Sequence, residues 1–297
     1  MKNRSESSSW IKKVTPEITP PSLTDNTADV DRLIKGMRKK LEGEEIFVDF
    51  SLHARLPYLL REYGYRVTAV LFRAKEGWHL IDIFPLNEKR GIFGVAVDLG
   101  TSTVVVRLLD LTGQKTIGEV SFHNPQIQIG ADILTRIHYA SRNGGLEILQ
   151  NLLRDRLNHE IDQLAKKHGI PTRSIVGMSA AGNTTMMHLF LGLDPYWICR
   201  EPYIPVINTP DLIGSKALRL TIHPEAPVLV FPNVGSYFGG DLIAGILASG
   251  MTGKAEPSIL VDVGTNAEVV VGNCDWLMAC AGAAGPALEG GLSLIHI

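Results

Sequence analysis

Val95-Ala96-Val97-Asp98-Leu99-Gly100-Thr101-Ser102-Thr103 and Ile259-Leu260-Val261-Asp262-Val263-Gly264-Thr265-Asn266-Ala267 are two versions of one motif. Each runs on into a valine stretch, Val104-Val105-Val106 and Val269-Val270-Val271. Each predicts a buried strand ending in Asp, a Gly-Thr turn and a return strand. Glycine lets the backbone approach a ligand closely, and the N–H groups and hydroxyls of such a turn can hold an anion. The Asp at the strand end is placed to hold a hydrated Mg²⁺, which keeps several waters and takes only one or two carboxylates. Asp-x-Gly-Thr is also ordinary turn chemistry. Its recurrence in the same strand context favours a two-sided phosphate clamp over two unrelated turns. On that reading Asp98 and Asp262 share the cation, while Gly100, Thr101, Gly264 and Thr265 line the phosphates.

The bulk properties narrow the setting of this clamp. The chain has 297 residues, which suggests two domains at about 150 residues each. Its hydrophobic fraction of 45% is ample for a packed core, and its formal net charge of −2 leaves no electrostatic footprint for nucleic acid. No apolar run reaches the ~20 residues of a membrane-spanning helix, and the polar N-terminus lacks the apolar core of a signal peptide. The three cysteines, Cys199, Cys274 and Cys280, form no metal-spaced cluster and are expected to be reduced thiols. A cytoplasmic protein is expected, with no membrane or nucleic-acid partner.

Four regions follow from the patterning. Residues 1–29 are polar, contain Thr19-Pro20-Pro21-Ser22 and predict a linker. Residues 30–88 predict a small α/β middle domain: a basic amphipathic helix from about Asp29 to Leu41, a strand at 45–50, a helix starting at Leu56, and strands at 66–72 and 78–83. Residues 91–250 open on three consecutive strands, Phe93–Asp98, Thr103–Leu109 and Thr116–Phe122. They continue through a long helix over Leu146–His168, a strand at Ser174–Met178, a helix at Asn183–Leu191, a strand at Val228–Phe231 and a helix at Asp241–Ser249. Residues 258–297 open a second meander at the second hairpin. A meander, then alternating helices and strands, then another meander suits a duplicated α/β fold better than a doubly wound sheet.

Further candidate residues lie between the hairpins. Val234-Gly235-Ser236-Tyr237-Phe238-Gly239-Gly240-Asp241 leads into an apolar helix, and a glycine-rich approach to a helix N-terminus offers free N–H donors to an anion. Asp241 is either a plain cap or the carboxylate that orients a water for attack on a terminal phosphate; the two roles can coexist. Gly182, Asn183 and Thr184 stand between a strand and a helix, as caps or facing the cleft. His123-Asn124-Pro125 and Gly130-Ala131-Asp132 follow the third strand, where a partner or ligand could dock. His188, Met186 and Met187 are expected in the core. Gly250-Met251-Thr252-Gly253-Lys254 is not a Walker loop, because Ala255 stands where Ser or Thr is required. Gly282-Ala283-Ala284-Gly285 lacks the strand and helix context of a dinucleotide fold.

Together, the first hairpin, the glycine-rich approach to Asp241 and the second hairpin resemble the superfamily of sugar kinases, actin and heat-shock chaperones. Within it, His123-Asn124-Pro125-Gln126, Gly130-Ala131-Asp132, Gly182-Asn183-Thr184-Thr185-Met186-Met187-His188, Gly264-Thr265-Asn266-Ala267-Glu268 and Ala283-Ala284-Gly285-Pro286-Ala287-Leu288-Glu289-Gly290 resemble the ATP-dependent reductive activators of corrinoid proteins. The resemblance covers about residues 15–291. It implies a ribonuclease H-like, actin-like ATPase fold preceded by the small α/β domain. It also implies ATP and Mg²⁺ as ligands, with Asp98 and Asp262 organising the cation and Asp241 positioning the hydrolytic water. Gly100, Thr101, Ser102, Thr103, Gly182, Asn183, Thr184, Gly239, Gly240, Gly264, Thr265, Asn266 and Glu268 then bind the nucleotide. The implied activity couples ATP hydrolysis to one-electron reduction of Co(II) to Co(I) in corrinoid-dependent methyl transfer. The implied partner is a corrinoid iron–sulfur protein or the corrinoid subunit of a methyltransferase, and the implied assembly is a homodimer.

Two departures from the family pattern matter. Members begin with a ferredoxin domain whose four cysteines hold a 2Fe–2S cluster, whereas no cysteine precedes Cys199 here, so this chain is not expected to bind that cluster. Only 40 residues follow Pro257, so the second half of the fold is expected to be truncated, without the glycines that hold adenosine. The chain is therefore expected to be a fragment that binds ATP weakly or not at all by itself, and whose ending after Gly291 departs from the family's sequence. The competing activities are a small-molecule kinase and a nucleotide-gated binding module of the same superfamily.

Overall fold

The computed structural model describes residues 9–264 and 266–283. Thr265, the side chain of Asn266 and the motif at 284–290 lie outside the described residues. The first unit is a four-stranded sheet built from β1 (Ile11–Val14), β2 (Ile46–Val48), β3 (Val67–Arg73) and β4 (Trp78–Pro85) in the order β1-β3-β4-β2. Helices α1 (Asp29–Lys40), the single turn α2 (Phe50–His53) and α3 (Leu56–Glu62) accompany it. Leu33, Met37, Leu56 and Leu60 pack from these helices onto Val67, Ala69, Leu71 and Leu80. Full burial of such side chains contributes roughly 1.5–3 kcal/mol each.

β1 was not expected, since its segment falls in the polar stretch predicted as linker. Ile11-Lys12-Lys13-Val14 is too short and too charged to signal a strand. It is ordered by antiparallel pairing with β3, Ile11 opposite Phe72 and Val14 opposite Ala69. Its lysines occupy an edge, where charge is tolerated.

The second unit is a six-stranded sheet in the order β7-β6-β5-β8-β10-β9. It begins with the predicted meander: β5 (Phe93–Leu99), β6 (Thr103–Asp110) and β7 (Lys115–His123). Helices α4 (Ile133–Ala140) and α5 (Gly145–Lys167) follow, then β8 (Ile175–Ala181), α6 (Thr184–Leu191), the two-residue β9 (Ile213–Gly214), β10 (Pro227–Val230) and α7 (Gly240–Ser249). β8 runs parallel to β5 and β10 parallel to β8, so the chain leaves the meander through helices and returns alongside its first strand. Leu149, Leu153, Leu157, Ile161 and Leu164 recur along α5 at helical spacing and are buried against Val95, Val97, Leu99, Val104 and Val106 of the sheet.

Strand alternation sends Val95, Val97 and Leu99 into that core and turns Asp98 to the opposite face. An apolar seam of Ile11, Val70, Ile81, Phe84, Ile92 and Val176 joins the two sheets. β11 (Ser258–Val263), β12 (Asn266–Gly272) and β13 (Leu277–Ala283) form a third, antiparallel sheet. Helix α7 bridges the parts: it contacts β8 and β11, and its Leu242 and Ile246 cluster with Val270 and Leu260.

Candidate functional site

Four carboxylates converge where α7 begins. Asp98 stands at the end of β5, Asp241 in the first turn of α7, and Asp262 on β11 directly opposite Glu268 on β12. Because Asp262 and Glu268 are cross-strand partners, both lie on the sheet face that carries Leu260 and Val270 towards α7. Their mutual influence is visible in their acidities. Burial, with repulsion from Asp241 and Asp262, pushes Asp98 up to about 6. Burial and the charge of Asp262 likewise push Asp241 up to about 6, against a hydrogen bond from the Leu242 N–H. Burial, Asp262 and Asp241 push Glu268 up to about 7, and burial raises Asp262. Arg107, which shares Asp98's face of the sheet, opposes the shift there. Negative charge is thus concentrated in a cleft that a cation would relieve.

The residues present suit a hydrated cation rather than a protein-caged one. Among the described residues, no three His, Cys, Asp or Glu side chains come close enough to ligate one ion together. Mg²⁺ keeps several waters and needs only one or two carboxylates, and strand-end Asp98 and Asp262 are suited to that role. Cys199 is a half-buried free thiol, and Cys274 and Cys280 are exposed free thiols.

The loops around the carboxylates are locked by close backbone approach. A Cβ on Gly182 would lie 2.7 Å from the Leu99 carbonyl oxygen, and one on Gly239 would lie 2.5 Å from Asn183 Cα and 2.7 Å from the Gly182 carbonyl oxygen. The Gly240 N–H donates to that carbonyl at 2.8 Å. Gly239, not Asp241, is the N-cap of α7, and the Asp241 carboxylate accepts from the Leu242 N–H at 2.9 Å. Asn183 does both things that sequence left open. Its Oδ1 accepts from the Met186 N–H at 3.0 Å as the cap of α6, and its Nδ2 donates to Thr101 Oγ1 at 3.0 Å. Thr184 is buried and donates to the Gly235 carbonyl at 3.2 Å. Asp132 is the N-cap of α4, accepting from the Thr135 N–H at 2.8 Å.

Behind the first hairpin lies a polar network whose central member sequence reasoning missed. Asn124, 1 % exposed, donates through Nδ2 to the Gly100 carbonyl at 2.9 Å, and its N–H donates to the Ser102 carbonyl at 2.9 Å. Arg136, 0 % exposed, donates to the Thr101 carbonyl at 2.7 Å. An isolated Arg in an eight-residue helix carries no signal of burial. The glycines and polar residues at 123–132 were the only pointer to this region. His188 is a core residue, as expected, with a specific job. Its Nε2 accepts from the Val206 N–H at 3.0 Å, so its Nδ1 carries the proton donated to the Thr184 carbonyl at 2.7 Å.

A strand–turn–strand hairpin ending in Asp at the head of the mixed sheet β7-β6-β5-β8-β10-β9, followed by a helix that delivers a further Asp to a second such hairpin, defines an α/β protein of the actin-like ATPase class. Comparison with known proteins narrows this. The RACo middle region matches residues 93–254, the RACo linker region matches 2–90, and the C-terminal domain of RACo, the ASKHA domain, matches 256–295. The chain belongs to the RACo family.

It is 36% identical over 218 residues to the corrinoid activation enzyme RamQ of Eubacterium limosum, covering 72% of this chain and 36% of the relative. It is 23% identical over 213 residues to a [Co(II) methylated amine-specific corrinoid protein] reductase of Methanosarcina barkeri, covering 67% and 37%. A solved reductive activator for corrinoid, iron–sulfur protein superposes with a TM-score of 0.87 at 36% identity, covering 95% of this chain and 45% of that one. The chain thus spans little more than a third of the length of the two sequence relatives.

Proposed function

We propose that this chain forms the phosphate-binding part of an ATP-dependent reductive activator, which couples ATP hydrolysis to the one-electron reduction of a partner's corrinoid from Co(II) to Co(I). The observation that carries the reading is the convergence of Asp98, Asp241, Asp262 and Glu268 on one cleft, where burial raises all four and repulsion adds to it at Asp98, Asp241 and Glu268. Such a cluster attracts a hydrated divalent cation. Asp98 and Asp262 would hold Mg²⁺ through its waters, and the ion would neutralise charge on the nucleotide phosphates. Asp241, with its carboxylate fixed by the Leu242 N–H, orients the attacking water. The backbone and hydroxyls of Gly100, Thr101, Ser102 and Thr103 cradle phosphate oxygens, and Gly264, Thr265 and Asn266 are assigned the same role by the repeated motif. Gly182, Asn183, Thr184, Gly239 and Gly240 fix the geometry between them, and Glu268 sets the charge beside Asp262.

The naming of RamQ as a corrinoid activation enzyme and of the second relative as a corrinoid protein reductase supports a corrinoid protein as partner. The electron would come from a donor outside the described residues. Phosphate release by the full-length protein, measured with and without a Co(II) corrinoid protein, tests the reading. The corrinoid protein is expected to stimulate release, and Asp98→Asn and Asp262→Asn are each expected to abolish the stimulation. Phosphorylation of a metabolite, or full activity in both variants, would sink it.

A further inference from the structure

Arg136 is the largest of the fully buried side chains, and its guanidinium is answered by uncharged acceptors. Nη2 donates to the Thr101 carbonyl at 2.7 Å, Nε to the Gly130 carbonyl at 2.8 Å, and Nη1 to Gln126 Oε1 at 3.3 Å and Met186 Sδ at 3.2 Å. Stripping water from a guanidinium is costly, and neutral acceptors offset the cost only with good geometry. The same acceptors tie three segments together. Thr101 is the turn of the first hairpin. Gln126 and Gly130 lie between β7 and α4. Met186 opens α6, where its N–H is capped by Asn183, which in turn donates to Thr101 Oγ1.

The hydrogen bonds also fix which way the hairpin's peptide planes face. The carbonyls of Gly100, Thr101 and Ser102 accept from Asn124 Nδ2, Arg136 Nη2 and Asn124 N respectively. All three therefore turn towards the buried Asn124–Arg136 pair. Among the described residues the only cis peptide precedes Pro202, so these planes are trans, and in a trans peptide the N–H points opposite the carbonyl. The N–H groups of Thr101, Ser102 and Thr103 are accordingly turned away from the interior. Successive outward N–H groups with a cation behind them make an anion-binding concavity.

The geometry points to Arg136 as a positioning residue of the phosphate hairpin. With Asn124 it holds three carbonyls inward so that three N–H groups face an incoming phosphate, and it locks that arrangement to the 126–130 segment. The assignment rests on the nucleotide reading of the hairpin. It does not follow from that reading, because Arg136 touches no ligand and stands outside the repeated motif. A movement of the 126–130 segment would reach the hairpin through this guanidinium and through Asn124, whose Oδ1 accepts from the Gln126 N–H. Lysine cannot replace the fork, since an ammonium cannot span Thr101, Gly130 and Gln126 in one plane.

Amide hydrogen exchange over the paired strands of the hairpin (93–110) and at Asn124, whose N–H is held by the Ser102 carbonyl, together with Mg·ADP titration, tests this in the full-length protein for wild type, Arg136→Lys and Arg136→Met. Arg136→Met is expected to speed exchange in the hairpin about tenfold or more, the loss of one charge-assisted hydrogen bond. Amides of β8 should keep their protection, and Mg·ADP affinity should weaken by a similar factor. Arg136→Lys should recover part of both. If Arg136→Met does not fold, Arg136→Lys carries the comparison, with hairpin exchange between wild type and unprotected. Wild-type exchange over 93–110 and at Asn124 in both variants, or a uniform rise across the whole chain, overturns the assignment. If the wild type binds no Mg·ADP while the hairpin still loosens in the variants, the nucleotide reading falls and the positioning role stands.

Discussion

Replacing Glu268 by Gln is expected to stabilise the protein above neutral pH and to have little effect below pH 5. Glu268 rises from its ordinary 4.5 to about 7 because it is buried opposite Asp262 and near Asp241. Between those two values the folded state binds more protons than the unfolded one. Stability from this group is therefore fully present below about 4.5 and is lost as pH rises through about 7. A rise of that size corresponds to roughly 3 kcal/mol. The side chain is only partly shielded from water, and its neighbours titrate with it, so a measured difference of about 1–2 kcal/mol is expected once screening is allowed for. At roughly 2–4 °C per kcal/mol for a domain of this size, Glu268→Gln should melt about 2–8 °C above wild type at pH 8 in chelator, and together with it at pH 5. Excess Mg²⁺ at pH 8 should narrow the gap by stabilising the wild type more, since a bound cation relieves the same repulsion. Thermal denaturation followed by circular dichroism at the two pH values decides the matter. Parallel melting curves for variant and wild type across pH 5–8 would show that Glu268 feels no such repulsion.

Two further outcomes follow from the same geometry. Burial lowers His188 below its ordinary 6.5, and its Nε2 must stay unprotonated to accept from the Val206 N–H; its contribution is complete above about 6.5 and is lost as pH falls through its folded value. The stability difference between wild type and His188→Gln should therefore shrink between pH 7 and pH 5, and a constant difference would refute the neutral tautomer. Gly182→Ala sets a Cβ 2.7 Å from the Leu99 carbonyl oxygen, backbone that cannot swing aside, and should cost about 1–3 kcal/mol, read as a lower urea midpoint; an unchanged midpoint would mean that β5 and β8 have room to part.

What sequence could reveal depended on whether the chemistry was local. The strand positions of Asp98 and Asp262 were legible because each sits in a short motif whose strand and turn chemistry is written within about ten residues, and the motif occurs twice. The meander, α5 and α7 were legible because their periods are regular. β1 was not, because Ile11-Lys12-Lys13-Val14 is ordered by what it pairs with rather than by its own pattern. Neither was α4, whose eight residues give little more than two turns of period. Glu268 appeared only as one letter of a family motif. Its importance comes from facing Asp262 across the strand pair, a relation of register. Arg136 is the clearest case. Arginine is rarely found fully buried, so on pattern it belongs to a solvated face. Only the fold shows that Gly130, Gln126, Met186 and Thr101 close around it.

These two groups of residues make the first hairpin electrically lopsided in a way neither does alone. On the buried side stands a guanidinium that remains charged at any physiological pH, even though burial pulls it down to about 10. On the cleft side stand four carboxylates that burial raises, with Asp98 and Asp241 pushed up to about 6 and Glu268 to about 7 by added repulsion. An ion pair of a hydrated divalent cation and a polyphosphate meets both demands at once. On the proposed reading its anionic oxygens would meet N–H groups backed by Arg136, and its hydrated cation would be held by Asp98 and Asp262. Either half of that ligand alone leaves one side unanswered, since free phosphate would face the carboxylates and free Mg²⁺ would leave the N–H groups without an acceptor. The hairpin is therefore expected to discriminate Mg·nucleotide from both components. That discrimination should weaken as pH falls through about 6 and the carboxylates protonate, because the cation then loses its partners while the guanidinium keeps its charge.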